Sequence, residues 1–210
     1  MASGYRESTE SWLAVLRDLR ARGLGAPVLA VADGAMAFWA AAAMVWPETR
    51  AQRCWNHALV NILDKLPKSQ QRAAQLLLCA MPYAPNRAEA ARLREAFARR
   101  YRASCPEAVA TLEKDWETLT TFYDFPAEHW KHLRTSNVVE SPFATVRLRT
   151  GAARRFKLVA NATMLIWRVL RVVERRFRKL DAPELLKDVY EGRRFENGKP
   201  ITRAIGKEAA

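Results

Sequence analysis

The feature that most constrains this fold is a long stretch, residues 57–123, in which every apolar pattern is helical. Apolar residues recur there three and four positions apart, which is the period of an amphipathic helix. Prolines and polar clusters interrupt the pattern and divide it. The resulting four predicted helices cover Ala58–Leu66, Ser69–Met81, Arg87–Ala103 and Pro106–Tyr123. This stretch therefore predicts an all-helical block.

The segment before the block alternates between helical and strand patterns. Its first helix, SWLAVLRDLRAR, carries apolar residues on one face and ends at Gly23. Val28–Ala32 is a short apolar run, typical of a strand buried on both faces. The Ala-rich segment Ala35–Trp46 predicts a buried helix, and Thr49–Trp55 predicts a second, shorter strand. Helix, strand, helix, strand at this spacing indicates an α/β unit.

After the block, two further helices are predicted. The first begins near Val138, and a basic loop follows at Gly151–Arg155. The second is long, covers Leu158–Leu180, and has apolar residues on one side and arginines on the other. We divide the chain accordingly; the predicted regions are an α/β core over 1–57, an all-helical insertion over 58–133, a return to the core over 134–192 and a loose polar tail over 193–210.

Positive charge is concentrated in the last third of the chain. The formal net charge is +13, and residues 134–203 hold 17 basic and seven acidic residues. Arginine dominates this set, and its forked donors suit phosphate oxygens. A solvated helix face is the plainer interpretation, but this excess favours contact with DNA or RNA.

Other features narrow the class of protein. Three cysteines at distant positions and an N-terminus without an apolar signal core favour reduced thiols in a cytoplasm. The longest apolar stretch, Ala35–Trp46, is too short to cross a bilayer, so no membrane partner is expected.

Two carboxylates are the best candidates for chemistry. Asp33 follows a buried strand, where ligand sites of α/β sheets lie, and Glu140 lies early in a predicted helix. Each alone is explained as well by a turn or capping role. Together, two carboxylates that converged would bind Mg²⁺, which prefers oxygen ligands, and would support phosphoryl transfer.

A zinc site is the competing chemistry. Cys54 and His57 form a C-x-x-H unit, and His129 and His132 form an H-x-x-H unit. The two units are much farther apart than in small zinc modules. Packed or hydrogen-bonded roles are therefore favoured over zinc.

The sequence resembles the catalytic region of the mutator-type family of bacterial insertion-sequence transposases. The resemblance covers most of residues 11–198 in order. The stretches that carry it are SWLAVLRDLRARGL, VLAVADGAMAFWAA, WPETRAQRCWNHALVNILDKLPK, LTTFYDFPAEHWKHLRTSNVVESPFATVRLRT and LLKDVYEGRRFENG.

The resemblance implies a ribonuclease H-like fold with an Asp-Asp-Glu triad and a helical insertion before the Glu. By motif, Asp33 matches the second Asp and Glu140 the Glu, and both would be catalytic residues and ligands of Mg²⁺ or Mn²⁺. The C-x-x-H unit of Cys54 and His57 would have a structural or DNA-positioning role. The residues expected to contact DNA are Arg134, Arg147, Arg149, Arg154, Arg155 and Lys157.

The chain departs from the family pattern in two places. The family's first Asp lies on a strand before the first helix, whereas Glu7, Glu10 and Asp18 have no strand-like context here. We therefore expect a partial fold that lacks the first three strands and is nearly inactive unless another polypeptide supplies them. The second departure is the loop Gly151–Arg155, which is less basic than usual in the family.

Two functions follow from this resemblance. The intact relative would cut transposon ends and join the 3′-OH to target DNA by metal-dependent phosphoryl transfer. The alternative is a non-catalytic remnant that binds DNA or inhibits a transposase. Transposon-end and target DNA are the expected partners, together with a second copy or a full-length transposase, in the bacterial cytoplasm at the nucleoid.

Overall fold

The computed structural model describes residues 8–153 and 155–201 as a mostly helical α/β protein with two small sheets. The helices are α1 (Thr9–Ala21), α2 (Met36–Val45), α3 (Trp55–Leu63), α4 (Lys68–Ala80), α5 (Arg87–Tyr101), α6 (Pro106–Lys114), α7 (Trp116–Leu119), α8 (Trp130–Leu133), α9 (Asn137–Ala152), α10 (Val159–Val173) and α11 (Leu186–Tyr190). The strands are β1 (Leu29–Ala32), β2 (Arg50–Arg53), β3 (Phe195–Glu196) and β4 (Lys199–Pro200).

The predicted α/β unit is confirmed. Strands β1 and β2 pair in parallel from Leu29 opposite Arg50 to Ala32 opposite Arg53, with α2 as the connection. Helix α1 packs on α2, and the buried residues of that contact are Leu16, Ala41, Ala42, Val45 and Trp46. The prediction that β1 is buried on both faces was wrong. Its residues are all partly exposed, because β2 is its only neighbouring strand in the described part of the chain.

The helical block is also confirmed and contains the larger core. Phe97, Leu112, Leu119, Phe122 and Tyr123 are fully buried there, between α3, α4, α5 and α6. The predicted single helix over 106–123 is divided instead into α6, α7 and a 3₁₀ turn, Thr121–Asp124. The hydroxyl of Thr120 donates to the carbonyl of Trp116 at 3.0 Å, and this local bond favours the break.

Helices α9 and α10 pack against each other after the block. Helix α10 ends at Val173, earlier than the predicted Leu180, and a 3₁₀ turn follows over Glu174–Arg176. Arg175, Arg176, Arg178 and Lys179 follow closely, and like charges three and four residues apart destabilise a helix. No residue of α10 is buried, so its apolar side packs only partly.

The prediction of a loose tail after Gly192 was wrong up to Pro200. Strands β3 and β4 form an antiparallel hairpin whose turn is Asn197-Gly198, both with positive φ. The Gly198 amide donates to the Tyr123 carbonyl at 3.0 Å, and the Gly198 carbonyl accepts from the Ala127 amide at 3.2 Å. The hairpin is therefore held on the helical block, although residues 202–210 lie outside the described part.

Within the described ranges, none of the helices combines the length and the apolar character that a membrane crossing requires.

Candidate functional site

Asp33 lies at the carboxyl end of β1 and holds the turn that follows. Its Oδ1 accepts a hydrogen bond from the Ala35 amide at 2.9 Å, and its carbonyl accepts from the Trp39 indole at 2.9 Å. The side chain is exposed, and Oδ2 has no protein partner in the described part of the chain. Asp33 therefore has the turn role and also keeps one carboxylate oxygen free for a ligand.

Glu140 lies in the first turn of α9. The hydroxyl of Ser136, which is the N-cap residue of that helix, donates to Oε1 of Glu140. Oε2 has no protein partner among the described residues. The Ser136 hydroxyl thus orients Glu140; sequence analysis did not identify this contact, although the spacing of four residues indicates it.

The C-x-x-H segment connects the end of β1 to the start of α9. The Cys54 amide donates to the Ala32 carbonyl at 2.7 Å, immediately before Asp33. The Cys54 sulfur accepts from the Ser136 amide at 3.3 Å, and the Trp55 amide donates to the Arg134 carbonyl at 2.9 Å. Cys54 therefore contacts both backbone segments that carry the two candidate carboxylates.

A side-chain bond strengthens the same connection. The Asn56 amide Nδ2 donates to Oδ1 of Asn137 at 2.9 Å, which joins the second residue of the motif to the first residue of α9. Neither asparagine was a candidate in the sequence analysis, because their pairing spans two elements that lie far apart in the chain.

The charges of both candidate carboxylates affect His57. Its Nδ1 atom is 3.9 Å from Oε1 of Glu140. Interaction with the Cys54 thiol is the largest cause that raises the pKa of His57, and the negative charges of Glu140 and Asp33 raise it further, against partial burial. The 3.9 Å distance places Glu140 beside the imidazole, and the charge of Asp33 acts on it more weakly.

The pKa of the Cys54 thiol is shifted in the opposite direction, downward. Burial raises its pKa, but hydrogen bonds from Ser136 and His57 outweigh burial, and the net pKa of the thiol is below its ordinary value. Cys54 is fully buried at the N-terminus of α3.

Arg53 and Gly34 fix the approach of β2 to the Asp33 turn. The Arg53 Nε lies 3.2 Å from Oδ2 of Asp115, and both side chains are largely buried. The guanidinium of Arg53 covers Gly34 so closely that a Cβ there would overlap its terminal nitrogens. A glycine next to Asp33 therefore leaves room for the arginine that joins the sheet to the helical block.

The donor set fits a magnesium-type ion better than zinc. In the described ranges, no three His, Cys, Asp or Glu side chains form a group that could hold a metal. Two exposed carboxylates with free oxygens nevertheless match Mg²⁺, which is commonly held by one or two carboxylates together with water and substrate phosphates. Asp33 and Glu140 are the residues that could hold it.

The two histidines of the H-x-x-H unit contact a different segment. His129 is buried, and its Nε2 lies 3.1 Å from the Ala182 carbonyl. His132 Nε2 accepts from the Asp181 amide at 3.2 Å. These histidines hold the chain before α11, and the structure gives them no contact with Cys54 or His57.

The predicted DNA contacts divide into an exposed group and one partly buried arginine. Arg147, Arg149, Arg155 and Lys157 are exposed in or just after α9, without an ion-pair partner in the described ranges. Arg154 lies outside the described residues. Arg134 is different, because its guanidinium is packed among aromatic rings.

This arrangement defines a class: a basic α/β protein with one carboxylate at the end of a parallel strand, a second in the first turn of a later helix, and a helical block between them. Residues 1–179 match the model of the family described as "Transposase, Mutator family". The chain belongs to this family, as the sequence analysis predicted, and the prediction of a transposase is confirmed at the level of the family.

Two relatives show how far the similarity extends. The chain is 47% identical over 206 residues to the transposase for insertion sequence element IST2 of Acidithiobacillus ferrooxidans; this match covers 98% of the chain and 70% of that protein. It is 41% identical over 203 residues to the transposase for insertion sequence element IS6120 of Mycolicibacterium smegmatis, covering 97% of the chain and 63% of that protein. The chain thus spans about two thirds of the length of these relatives.

Proposed function

We propose that this chain carries the second Asp and the Glu of a metal-dependent transposase site, as Asp33 and Glu140. The observation that carries the proposal is the double contact of Cys54, which bonds to the carbonyl before Asp33 and to the amide of Ser136 before Glu140. The activity is cleavage of transposon ends and joining of the 3′-OH to target DNA.

The fold of the catalytic unit is ribonuclease H-like in this proposal. Three observations support it: β1 and β2 are parallel and connected by α2, Asp33 ends β1, and the helical block lies between β2 and α9. Ligand sites of such sheets lie at the carboxyl ends of the strands, which is where Asp33 is.

Each side chain has a defined part in the reaction. Asp33 and Glu140 would hold a divalent ion, Mg²⁺ or Mn²⁺, which would activate the attacking oxygen and stabilise charge on the phosphate. The Ser136 hydroxyl orients Glu140 and leaves its Oε2 free. Arg147, Arg149 and Arg155, which are exposed, bind nearby phosphates of the DNA.

The first experiment measures metal binding by the purified 210-residue chain, with Mn²⁺ as the probe and its electron paramagnetic resonance signal as the readout. We expect Asp33→Asn and Glu140→Gln each to weaken Mn²⁺ binding by tenfold or more. Asp64→Asn is the matched control, since Asp64 is exposed and has no ion pair in the described part of the chain. Equal Mn²⁺ affinity in all four proteins would overturn the assignment.

A second candidate function is binding of transposon DNA without cleavage, with inhibition of an active transposase. The observation that favours it is that, within the described ranges, no three His, Cys, Asp or Glu side chains form a group that could hold a metal. Co-expression with an active transposase of the family, with transposition as the readout, distinguishes the catalytic function from the inhibitory one. An inhibitor depresses transposition even when it carries Asp33→Asn, and loses this effect when Arg147 and Arg149 are changed to Ala.

We also propose a second copy of the chain, or a longer transposase, as a protein partner. Helix α10 supports this, because its apolar residues Met164, Trp167 and Val172 are more than half exposed. Sedimentation of the purified chain tests it, and a monomer at all concentrations would contradict the homo-oligomer.

A further inference from the structure

A cavity of about 560 Å³ lies beside the first turns of α9, on a face of that helix that does not include Glu140. Asn137, Ser141 and Thr145 line it from α9, and Arg176 and Phe177 line it from the segment after α10. Asn56, which bonds to Asn137, also lines the cavity, so the cavity borders the C-x-x-H segment beside the Asp33 and Glu140 site.

The cavity is positively charged. Four cations line it, namely Lys131, Arg134, Arg176 and Arg178, and no acidic residue does. Lys131 forms an ion pair with Asp181 and is thereby neutralised. The three arginines have no carboxylate partner in the described ranges, so the cavity has a net attraction for an anion.

Arg134 is the most unusual of these cations. Its guanidinium lies 4.9 Å from the ring centre of Tyr83, 5.2 Å from that of Phe122 and 5.6 Å from that of Trp130. Its Nε is buried without a hydrogen-bond partner, and its terminal nitrogens have no acceptor in the described part of the chain. A cation held in this way without an acceptor is available for a phosphate oxygen.

Tyr83 adds a stacking surface. It lines the same cavity and is 74% exposed, with the Arg134 guanidinium over its ring. A base can therefore stack on this tyrosine while its phosphate reaches the arginines. Nucleobases stack on aromatic side chains in this way in proteins that bind single strands.

We propose that this cavity binds one unstacked nucleotide of DNA, with its base on Tyr83 and its phosphate at Arg134 and Arg176. This rests on the proposed function, because the DNA is the strand that passes the Asp33 and Glu140 site. A fully paired duplex keeps its bases stacked and offers none to Tyr83, so the cavity selects an unpaired or extruded nucleotide.

The test is binding of the 210-residue chain to labelled DNA in EDTA, read by fluorescence anisotropy. Three probes are compared: a paired duplex, the same duplex with one unpaired nucleotide, and a single strand. Tyr83→Ala is expected to weaken binding to the two probes with unpaired bases by about tenfold. Binding to the paired duplex is expected to stay the same.

Matched controls isolate the cavity. Tyr190→Ala removes a tyrosine that is 72% exposed on α11 and should change nothing. Arg176→Ala should weaken binding to the probes with unpaired bases, whereas Arg72→Ala, at an exposed arginine of α4, should not do so selectively. Arg176 is preferred to Arg134 for this test because Arg134 also packs against the core residues Phe122 and Trp130, so its loss would destabilise the fold as well.

The outcomes are distinct. Equal effects of Tyr83→Ala on paired and unpaired probes, or no effect on either, would overturn the proposal. Competition by free deoxyadenosine monophosphate at micromolar concentration would also overturn it, since the ligand would then be a free nucleotide. Because EDTA removes metal, failure of the metal assignment at Asp33 and Glu140 leaves this result unaffected.

Discussion

Gly198 in the C-terminal hairpin has no room for a side-chain carbon. Its φ is +80°, and a Cβ would lie 2.6 Å from the Ala127 Cβ and 2.8 Å from the Trp130 Cζ2. Gly192 has a similar φ of +77° but open space around it. Comparing alanine substitutions at the two glycines therefore separates the cost of backbone strain from the cost of steric overlap.

We expect Gly192→Ala to lower the free energy of unfolding by about 1 kcal/mol, the strain of a left-handed residue. Gly198→Ala should lower it by about 1–3 kcal/mol more, because overpacking against Ala127 and Trp130 adds to the strain. Urea denaturation of the three proteins measures the difference. Equal losses for the two variants would mean that the hairpin does not pack on the helical block.

The buried hydroxyl of Tyr123 makes the stability of the fold depend on pH in the alkaline range. Burial raises the pKa of Tyr123 to about 12, although the charges of Arg134 and Arg87 oppose this. Its hydroxyl donates to the Ala84 carbonyl at 3.0 Å. The pKa of Tyr123 in the folded state lies above its unfolded value near 10. Its contribution to the free energy of unfolding is therefore fully present below pH 10 and is lost as the pH rises through 12.

We expect the free energy of unfolding to fall by about 2 kcal/mol between pH 10 and pH 12 from this residue. Tyr123→Phe should be less stable at neutral pH, because it loses the bond to Ala84, and should lack this part of the pH dependence. Denaturation curves at several alkaline pH values measure it. An unchanged slope in Tyr123→Phe would assign the loss to other groups.

At the scale of elements, one buried glutamine joins the small sheet to the helical block. Gln52 on β2 is fully buried, and its side chain accepts from the Phe122 amide at 2.8 Å and donates to the Leu119 carbonyl at 3.1 Å. The Trp55 indole donates to the same Leu119 carbonyl at 2.7 Å. Strand β2 is thereby fixed along α7 and the 3₁₀ turn.

Gln52→Leu should lower the free energy of unfolding by about 2 kcal/mol, because it leaves the buried amide of Phe122 without a partner. Gln75→Leu on the exposed side of α4 is the control and should change stability by less than about 0.5 kcal/mol. Thermal unfolding followed by circular dichroism compares the two. Similar midpoints would show that β2 is held mainly by its apolar neighbours.

The Arg53 and Asp115 pair gives a second test between elements. Gly34→Ala should destabilise the chain, because Arg53 is held over Gly34 by Asp115 and cannot move aside freely. In the Asp115→Ala background the same change should be milder by about 1 kcal/mol, since the arginine is released. A double-mutant cycle measures this coupling, and additive effects would contradict it.

At the scale of the whole molecule, the charge distribution predicts a salt-dependent affinity for DNA. Changing Arg147 and Arg149 to Ala should weaken binding to all sequences. It should also reduce the slope of log K against log salt concentration by about 2, because two phosphate contacts are lost.

The control for that prediction changes Arg72 and Arg99, which are exposed and unpaired in the described part of the chain, on α4 and α5. The control pair should leave the salt slope close to that of the unchanged protein. If both pairs lowered the slope equally, the attraction would come from net charge alone and α9 would not be a DNA-binding surface.

Local signals explain why part of the candidate site could be predicted. Asp33 and Gly34 follow an apolar run that ends at Ala32, and Asn197-Gly198 is a strong hairpin signal that the sequence analysis did not use. By contrast, the contacts of Cys54 with Ser136 and of Asn56 with Asn137 join residues far apart in the chain. Periodicity contains no information about such pairs.

By itself, the sequence determined the helical block, the α/β unit and the concentration of charge, because these depend on local period and composition. Only the tertiary structure decided that Cys54 joins the Asp33 turn to α9, that His129 and His132 hold the segment before α11, and that the tail packs on Tyr123. The tertiary structure also forms the cavity that Tyr83 and Arg134 line. These outcomes depend on which surfaces meet when the elements pack, and that follows from the burial of all of them together.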